Sequence, residues 1–261
     1  MKNIAFLLLL VAVSVSAQTK YDKTMASIDA TYETGDYKKT LSALEKFKKK
    51  SFKKLGTSNP YLVRYYMMIA KCDLASGMFT EFEANLKTAI STSLSVNTEN
   101  SKSHGMVLQE AGELYTRNGS YKIAKQYLTD ARVIFNKGGF FDEDAKARWE
   151  VAQAEMLTGQ GFYQQASDLL QKNATYFAGR AVKQETYVDD KGNLKSRRLP
   201  DQELAKRYDD YCRVITSLGR CYGRQGKLRS ADSAFGFVTS ALLSTLESIR
   251  WSKGSPMSLR R

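Results

Sequence analysis

The stretch LQEAGELYTRNGSYKIAKQYLTDA, residues 108–131, decides the fold of this 261-residue chain. On both sides of Gly119 its apolar and small residues recur three and four positions apart, which predicts two amphipathic helices. Glycine adopts a backbone with positive φ at little cost, so Gly119 is expected to end the first helix. The small residues Gly112 and Ala124 should allow the two helices to approach closely. The stretch therefore predicts a helix–turn–helix pair.

The same pattern returns with a period of 42 residues. Four glycines lie 42 residues apart, and each is followed two positions later by an aromatic residue: Gly35 and Tyr37, Gly77 and Phe79, Gly119 and Tyr121, Gly161 and Tyr163. A fifth instance, Gly226 with Leu228, lies 65 residues after Gly161, so 23 additional residues precede it. A fixed period indicates repeated units that stack and share a hydrophobic core.

This pattern resembles the tetratricopeptide repeat (TPR), specifically the 42-residue variety found in kinesin light chains and many bacterial proteins. The Leu-Gly-Tyr…Gly-x-Tyr-x-x-Ala spacing is met best in repeats three and five. The segment from Leu55 to Pro60 resembles that variety's Leu-Gly-x-x-His-Pro connection, with Asn59 in the place of histidine. The resemblance covers about residues 20–250 and implies an all-α, right-handed α-solenoid of about five pairs, although repeats one and four depart from the small-residue positions.

Residues 1–17 have the features of a cleavable secretory signal peptide. They combine a basic start at Lys2, an apolar run over Ile4–Val13, and small residues at Val15 and Ala17. The apolar run rises only about 15 Å as a helix, half of a hydrocarbon layer of ~30 Å. We therefore expect an exported protein, periplasmic or secreted; an uncleaved membrane anchor is the alternative.

The remaining chain divides according to the period. Residues 18–178 should form repeats one to four, and residues 206–250 should form repeat five, followed by a C-terminal tail at 251–261. Between the fourth and fifth repeats, residues 179–205 contain β-prone runs around Gly192 and Asn193, which predicts an insertion in the form of a loop or a β-hairpin. The insertion is interpreted as a binding appendage or as a tolerated surface segment.

The chain is strongly basic. It has 40 basic and 27 acidic residues, a net charge of +13, and removal of residues 1–17 takes away one lysine, which leaves +12. This charge favours acidic partners, with anionic envelope glycans or a membrane surface as alternatives, or it serves only solubility. Nucleic acid is not expected as a partner, because an exported chain rarely meets genomic DNA.

The sequence contains no recognisable catalytic or metal-binding motif. It has no Gly-x-Ser-x-Gly, no phosphate-binding glycine-rich loop with lysine, and no His-Glu-x-x-His. The single histidine, His104, is expected at the surface of a linker. Cys72, Cys212 and Cys221 are expected to be buried thiols, since the last two lie too far apart along one predicted helix to form a disulfide. We expect no enzyme activity, no cofactor and no metal.

The TPR resemblance implies a concave groove lined by the first helix of each pair, in which a partner protein binds. The residues at these groove positions are Arg64, Met67, Lys71, Gln109, Glu113, Arg117, Arg213, Thr216, Arg220 and Arg224. The three arginines of repeat five form a helical stripe suited to carboxylates, sulfates or phosphates. The alternative is an ordinary charged face. The family's clamp for C-terminal carboxylates is not matched residue for residue, so that ligand is not transferred.

Three functional hypotheses follow. The first is an exported protein–protein interaction scaffold that binds an acidic peptide or protein in a basic groove. The second is the N-terminal sensory or docking region of a longer envelope regulator or effector, suggested by an apolar face on the last helix: Phe235, Val238, Leu242, Leu246 and Ile249. The third is binding of an anionic glycan or lipid.

Overall fold

A computed structural model describes residues 20–56, 59–182 and 184–252. The predicted signal peptide, most of the predicted tail, and the side chains of Leu242, Leu246 and Ile249 lie outside the described part. The described residues form ten helices and one two-stranded sheet. In chain order these are α1 (20–33), α2 (Tyr37–Leu55), α3 (Pro60–Ala75), α4 (Phe79–Val96), α5 (Lys102–Arg117), α6 (Tyr121–Lys137), α7 (Glu143–Gln160), α8 (Tyr163–Arg180), β1 (Gln184–Val188), β2 (Leu194–Arg198), α9 (Asp201–Arg224) and α10 (Leu228–Ser252).

The periodic glycines form the turn inside each helix pair. Gly35, Gly77, Gly119, Gly161 and Gly226 all have φ between 75° and 87°, a region that other residues enter only with strain. In four of these turns the residue after the glycine donates its N–H to the carbonyl five residues earlier, at 2.9 Å. This is the Schellman arrangement, which satisfies carbonyls at the end of the first helix.

The residue two positions after each glycine is the first residue of the second helix. These residues are Tyr37, Phe79, Tyr121, Tyr163 and Leu228, the start of α2, α4, α6, α8 and α10. The predicted period therefore gives the start of the second helix in all five pairs. The predicted helix–turn–helix repeats are confirmed.

Each second helix places a large apolar residue nine positions after the glycine. In pairs one to four this residue is a fully buried leucine: Leu44, Leu86, Leu128 and Leu170. In the fifth pair it is Phe235, which is 40 % exposed. Burial of such side chains contributes roughly 1.5–3 kcal/mol each. Pairs one to four therefore draw more stability from this position than the fifth pair does.

The helices belong to two compact units, one ending at Leu114 and the other beginning at Tyr115. In the first, α2 packs on α3 and α3 on α4, around a core that includes Met25, Leu44, Phe47, Tyr61 and Tyr65. In the second, consecutive helices from α6 to α10 pack on one another, and α7 also contacts α9. The last contact joins the first helices of adjacent pairs, as expected for stacked repeats.

The insertion before the fifth pair is a β-hairpin. Strands β1 and β2 pair antiparallel, and the Asp189 carboxylate accepts N–H bonds of 2.9 Å from Lys191 and Asn193 in the turn. Glu185 accepts hydrogen bonds from Arg197 on β2 and from Arg207 on α9, and these bonds hold the pKa of its carboxyl below the usual range. Arg207 therefore anchors the hairpin to α9. Helix α8 ends at Arg180 and helix α9 begins at Asp201, so the insertion comprises residues 181–200.

His104 lies in the first turns of α5, not in a linker. Its side chain is only 6 % exposed, and Nδ1 lies 3.1 Å from Oγ of Ser93 on α4. Burial lowers the pKa of its imidazole. The prediction of a surface histidine was wrong, because α5 begins at Lys102 and turns this side chain inward.

The three cysteines are free and buried, as predicted. Burial raises the pKa of Cys72 to about 11, so its thiol stays protonated at neutral pH. None of the described helices is long and apolar enough to cross a membrane.

Candidate partner-binding surface

In the first unit, the predicted cation Arg64 is already paired with carboxylates. Its Nη2 lies 2.8 Å from Oδ2 of Asp29, and its Nη1 lies 3.8 Å from Oδ1 of Asp22. Both carboxylates come from α1, the first helix of the preceding pair. Lys71 forms an ion pair with Glu110 of α5, the first helix of the following pair. The basic positions of repeat two are thus neutralised by neighbouring repeats.

The structure brings three of the predicted groove residues together around one cavity of about 260 Å³ in this unit. Its charged and apolar lining includes Arg64, Met67 and Lys71 together with Asp29, Glu33 and Glu110. The three carboxylates outnumber the two cations. This cavity therefore lacks the surplus of positive charge expected of a basic groove.

The predicted residues of repeat three lie along α5. Gln109 donates a hydrogen bond of 3.2 Å to Glu113 one turn later on α5, and Glu113 is buried. Arg117, near the end of that helix, is exposed and belongs to the second unit. Gln109 and Glu113 are bonded to each other, and Arg117 remains a candidate contact.

In the second unit, α9 carries the predicted stripe of repeat five. We call Arg213, Thr216, Arg220 and Arg224 the arginine stripe. Residues spaced three and four apart share one helix face, and all three arginines are exposed. The Thr216 hydroxyl instead donates to the Cys212 carbonyl in its own helix, at 2.8 Å. Among the described residues, no carboxylate forms an ion pair with Arg220 or Arg224.

The first helices of pairs four and five are joined beside the arginine stripe. Arg148 of α7 donates to Asp210 of α9 at 2.8 Å, and the Ser217 hydroxyl donates to Glu155 at 2.6 Å. Arg213 lines a small cavity together with Arg148, Asp210 and Phe177, among others. These contacts fix the position of α9 relative to α7.

A second cavity in this unit contains cations that the sequence analysis did not select. It measures about 130 Å³, and its positively charged lining residues are Arg148, Arg180, Lys206 and Arg207. One signal was available in the sequence: Lys206, Arg213 and Arg220 lie seven residues apart, two helical turns, so they share a face of α9.

The fold is similar to that of solved structures. A crystal structure of a variant of a Podosopora anserina kinesin light chain protein with nearly identical TPR-like repeats matches with a TM-score of 0.51 over 87 % of this chain and 97 % of its own, at 15 % sequence identity. The fold is that of TPR-like repeats. A second crystal structure of that TPR-like protein matches with a TM-score of 0.50 at 15 % sequence identity. The match covers 87 % of this chain and 96 % of that chain.

A further match is the crystal structure of BtubC (BKLC) from P. vanneervenii, with a TM-score of 0.48 at 13 % sequence identity. The match covers 90 % of this chain and 81 % of that chain. No model of a protein family and no curated protein sequence matches the chain. The all-α fold class of TPR-like pairs predicted from the glycine period is confirmed. At these identities the likeness concerns the fold alone, so the binding residues depend on the contacts described above.

Proposed function

We propose that this TPR-like protein is an exported, non-enzymatic scaffold that binds an acidic segment of another protein along the arginine stripe. The observation that carries the proposal is the exposure of Arg220 and Arg224, which no ion pair holds in the described part of the chain. Stacked helical repeats present extended surfaces of the kind that bind other proteins, which favours a protein partner in general.

The spacing of the stripe suits an extended peptide. Arg220 and Arg224 are one turn apart, about 6 Å along α9. Alternate residues of an extended chain are spaced by about 6.6 Å, so two carboxylates two positions apart match the two guanidinium groups. Each guanidinium can hold a carboxylate through two parallel hydrogen bonds. The preferred ligand is therefore an extended segment with an acidic residue at every second position.

A comparison of repeat five with repeat two indicates where the acidic ligand binds. Arg64 and Lys71 already have carboxylate partners, and a ligand would have to displace Asp29 or Glu110 to reach them. Arg220 and Arg224 require no such exchange. We therefore place the acidic ligand on the second unit and not on the 260 Å³ cavity of the first.

Export is part of the proposal and is supported by the sequence features of residues 1–17. Expression of the full gene in a secreting bacterial host, followed by intact mass measurement, tests it. Cleavage after Ala17 is the expected result. A mature protein that retains residues 1–17 would contradict it.

Binding is tested with a fluorescein-labelled peptide that alternates glutamate and serine, followed by fluorescence anisotropy at low salt. We expect Arg220→Glu/Arg224→Glu to weaken binding at least about tenfold, a loss of about 1.4 kcal/mol. Binding should also weaken as salt is raised, because exposed charges are screened. The same peptide with glutamine in place of glutamate should not bind.

The matched control is Lys122→Glu/Lys125→Glu on α6, which changes the net charge equally at two exposed lysines. This control should retain most of the affinity. Equal losses in the two double variants would show that only the overall charge matters, and unchanged binding by the arginine variant would reject the stripe as the site.

A second candidate is an anionic membrane surface, favoured by the hairpin. Val188 and Leu194 form a cross-strand pair, are 63 % and 76 % exposed, and have Lys195 and Arg198 nearby along β2. Co-sedimentation with vesicles containing phosphatidylglycerol tests it. Binding that is lost in Val188→Ser/Leu194→Ser would support this candidate over the acidic peptide.

A further inference from the structure

The cavity of about 130 Å³ in the second unit is surrounded by charges that do not balance. It lies between α7, the end of α8 and the first turns of α9, and it is open to solvent on one side. Its four cations face three carboxylates, and Phe177 supplies an apolar wall. A cavity of this volume has room for a single carboxylate or phosphate group.

Each carboxylate of the lining already has an arginine partner. Asp210 accepts from Arg148 at 2.8 Å, and Glu203 accepts from Arg207 at 2.7 Å. Asp144 lies 3.3 Å from Nη2 of Arg180. The lining is therefore neutral apart from its fourth cation.

That fourth cation is Lys206. It is exposed, and no carboxylate in the described ranges forms an ion pair with it. Glu185 of the hairpin also accepts from Arg207, but its other oxygen is bonded to Arg197. Glu185 is thus engaged by two arginines, and the positive charge of Lys206 is not offset.

Arg148 brings a guanidinium to the cavity that a single carboxylate does not saturate. Its Nη2 binds Asp210, whereas its Nε is buried and has no acceptor among the described residues. A buried N–H without an acceptor is unfavourable, and an oxyanion is a strong acceptor for a guanidinium. Arg148 lines both this cavity and the small cavity beside Arg213.

We propose that this cavity binds one oxyanion group, a carboxylate or a phosphate, through the ammonium of Lys206 and the guanidinium of Arg148. The site rests on the proposed function and deepens it. Lys206 lies two turns before Arg213 on the same face of α9, so the cavity is the N-terminal end of the arginine stripe. An acidic partner places one oxyanion in the cavity while its other acidic residues contact Arg220 and Arg224.

The test is isothermal titration calorimetry of the full chain with inorganic phosphate and, separately, with acetate, at constant ionic strength. Saturable binding of at least one ion is expected. Binding of phosphate alone assigns a phosphorylated group of the partner, and binding of acetate assigns a carboxylate. Absence of saturable binding by both ions overturns the proposal.

Lys206→Gln is the deciding variant, because Lys206 is exposed and its replacement leaves the arginine pairs intact. It should weaken ion binding at least about fivefold, whereas Lys125→Gln on α6 should have no effect. Arg148→Gln should also weaken binding, with folding verified by circular dichroism. Wild-type affinity in folded Lys206→Gln would overturn the assignment.

The proposal for the arginine stripe and the proposal for the cavity can be rejected independently of each other. Arg220 lies 14 residues from Lys206, about 21 Å along α9, so Arg220→Glu/Arg224→Glu should bind the ion with nearly wild-type affinity. Ion binding that depends on Lys206, in a protein that does not bind the acidic peptide, would reject the stripe and retain the cavity. Peptide binding that depends on Arg220, without ion binding, would reject the cavity alone.

Discussion

Tyr121 lies so close to Gly159 that a β-carbon on residue 159 would stand 2.5 Å from the Cε1 and Oη atoms of the tyrosine ring. Tyr121 is the periodic aromatic residue at the start of α6, and Gly159 lies near the end of α7. Gly159, two residues before the periodic glycine Gly161, therefore makes room for the aromatic residue of pair three.

Gly159→Ala should lower the free energy of unfolding by about 1 kcal/mol, because the half-buried tyrosine ring must move aside. Urea denaturation measures this. The control is Gly236→Ala in α10, where an added β-carbon meets no atom within 4 Å and should stabilise by roughly 0.5–1 kcal/mol. If Gly159→Ala is as stable as the wild type, the contact does not constrain the helices.

His104 should make stability depend on pH. Its pKa is lowered from 6.5 mainly by burial, so the unfolded chain binds a proton more readily than the folded one. Stability from this group is complete above pH 6.5 and decreases as the pH falls below it. His104→Asn should show a smaller decrease between neutral and mildly acidic pH in thermal melts. Equal pH slopes in the two proteins would contradict this prediction.

Asn173 occupies the position that alanine holds in repeats two and three, and it is buried beside Glu150. Its side-chain amide donates to Glu150 at 3.0 Å and to the Leu169 carbonyl at 2.8 Å. Asn173→Ala should destabilise by about 1–3 kcal/mol in urea unfolding, because both acceptors lose a donor. Gln164→Ala removes an exposed hydrogen bond to Asp168 on the same helix and should change the free energy of unfolding by less than about 0.5 kcal/mol. Similar values for the two variants would argue against a structural role for the buried amide.

Arg207 should control the order of the hairpin. Its side chain is 12 % exposed and bonds Glu203, Glu185 and the Arg180 carbonyl. Arg207→Met should raise amide hydrogen exchange across β1 and β2 by about tenfold or more, since hydrogen bonds to charged groups contribute about 1.5–3 kcal/mol. Arg197→Met, at a more exposed pair within the hairpin, should have a smaller effect. Unchanged exchange in Arg207→Met would show that other contacts anchor the hairpin.

The helix pairs were predictable because their determinants are local. A glycine with positive φ and the aromatic residue two positions later act within one turn, so the period alone locates the second helix of every pair. His104 was misplaced because its burial depends on Ser93, a residue of another helix. Local pattern carries no information about such a partner.

The charge of the candidate site was predictable only in part for the same reason. Arg64 and Lys71 lie on the expected face, but their partners Asp29 and Glu110 belong to neighbouring repeats. The cavity residues Arg180 and Lys206 come from helix ends on either side of the insertion, away from the repeat register. Only the seven-residue spacing of Lys206, Arg213 and Arg220 is visible in the sequence.

The junction that carries the hairpin has a practical consequence. Helices α8 and α9 pack against each other although residues 181–200 leave and return between them. Loop closure becomes only slowly less favourable with length, so a longer segment should be accepted between β1 and β2. A fluorescent reporter grafted at Gly192 would stand at the turn of a hairpin that Arg207 anchors to α9, and the scaffold could then serve as an optical sensor for a ligand bound along that helix.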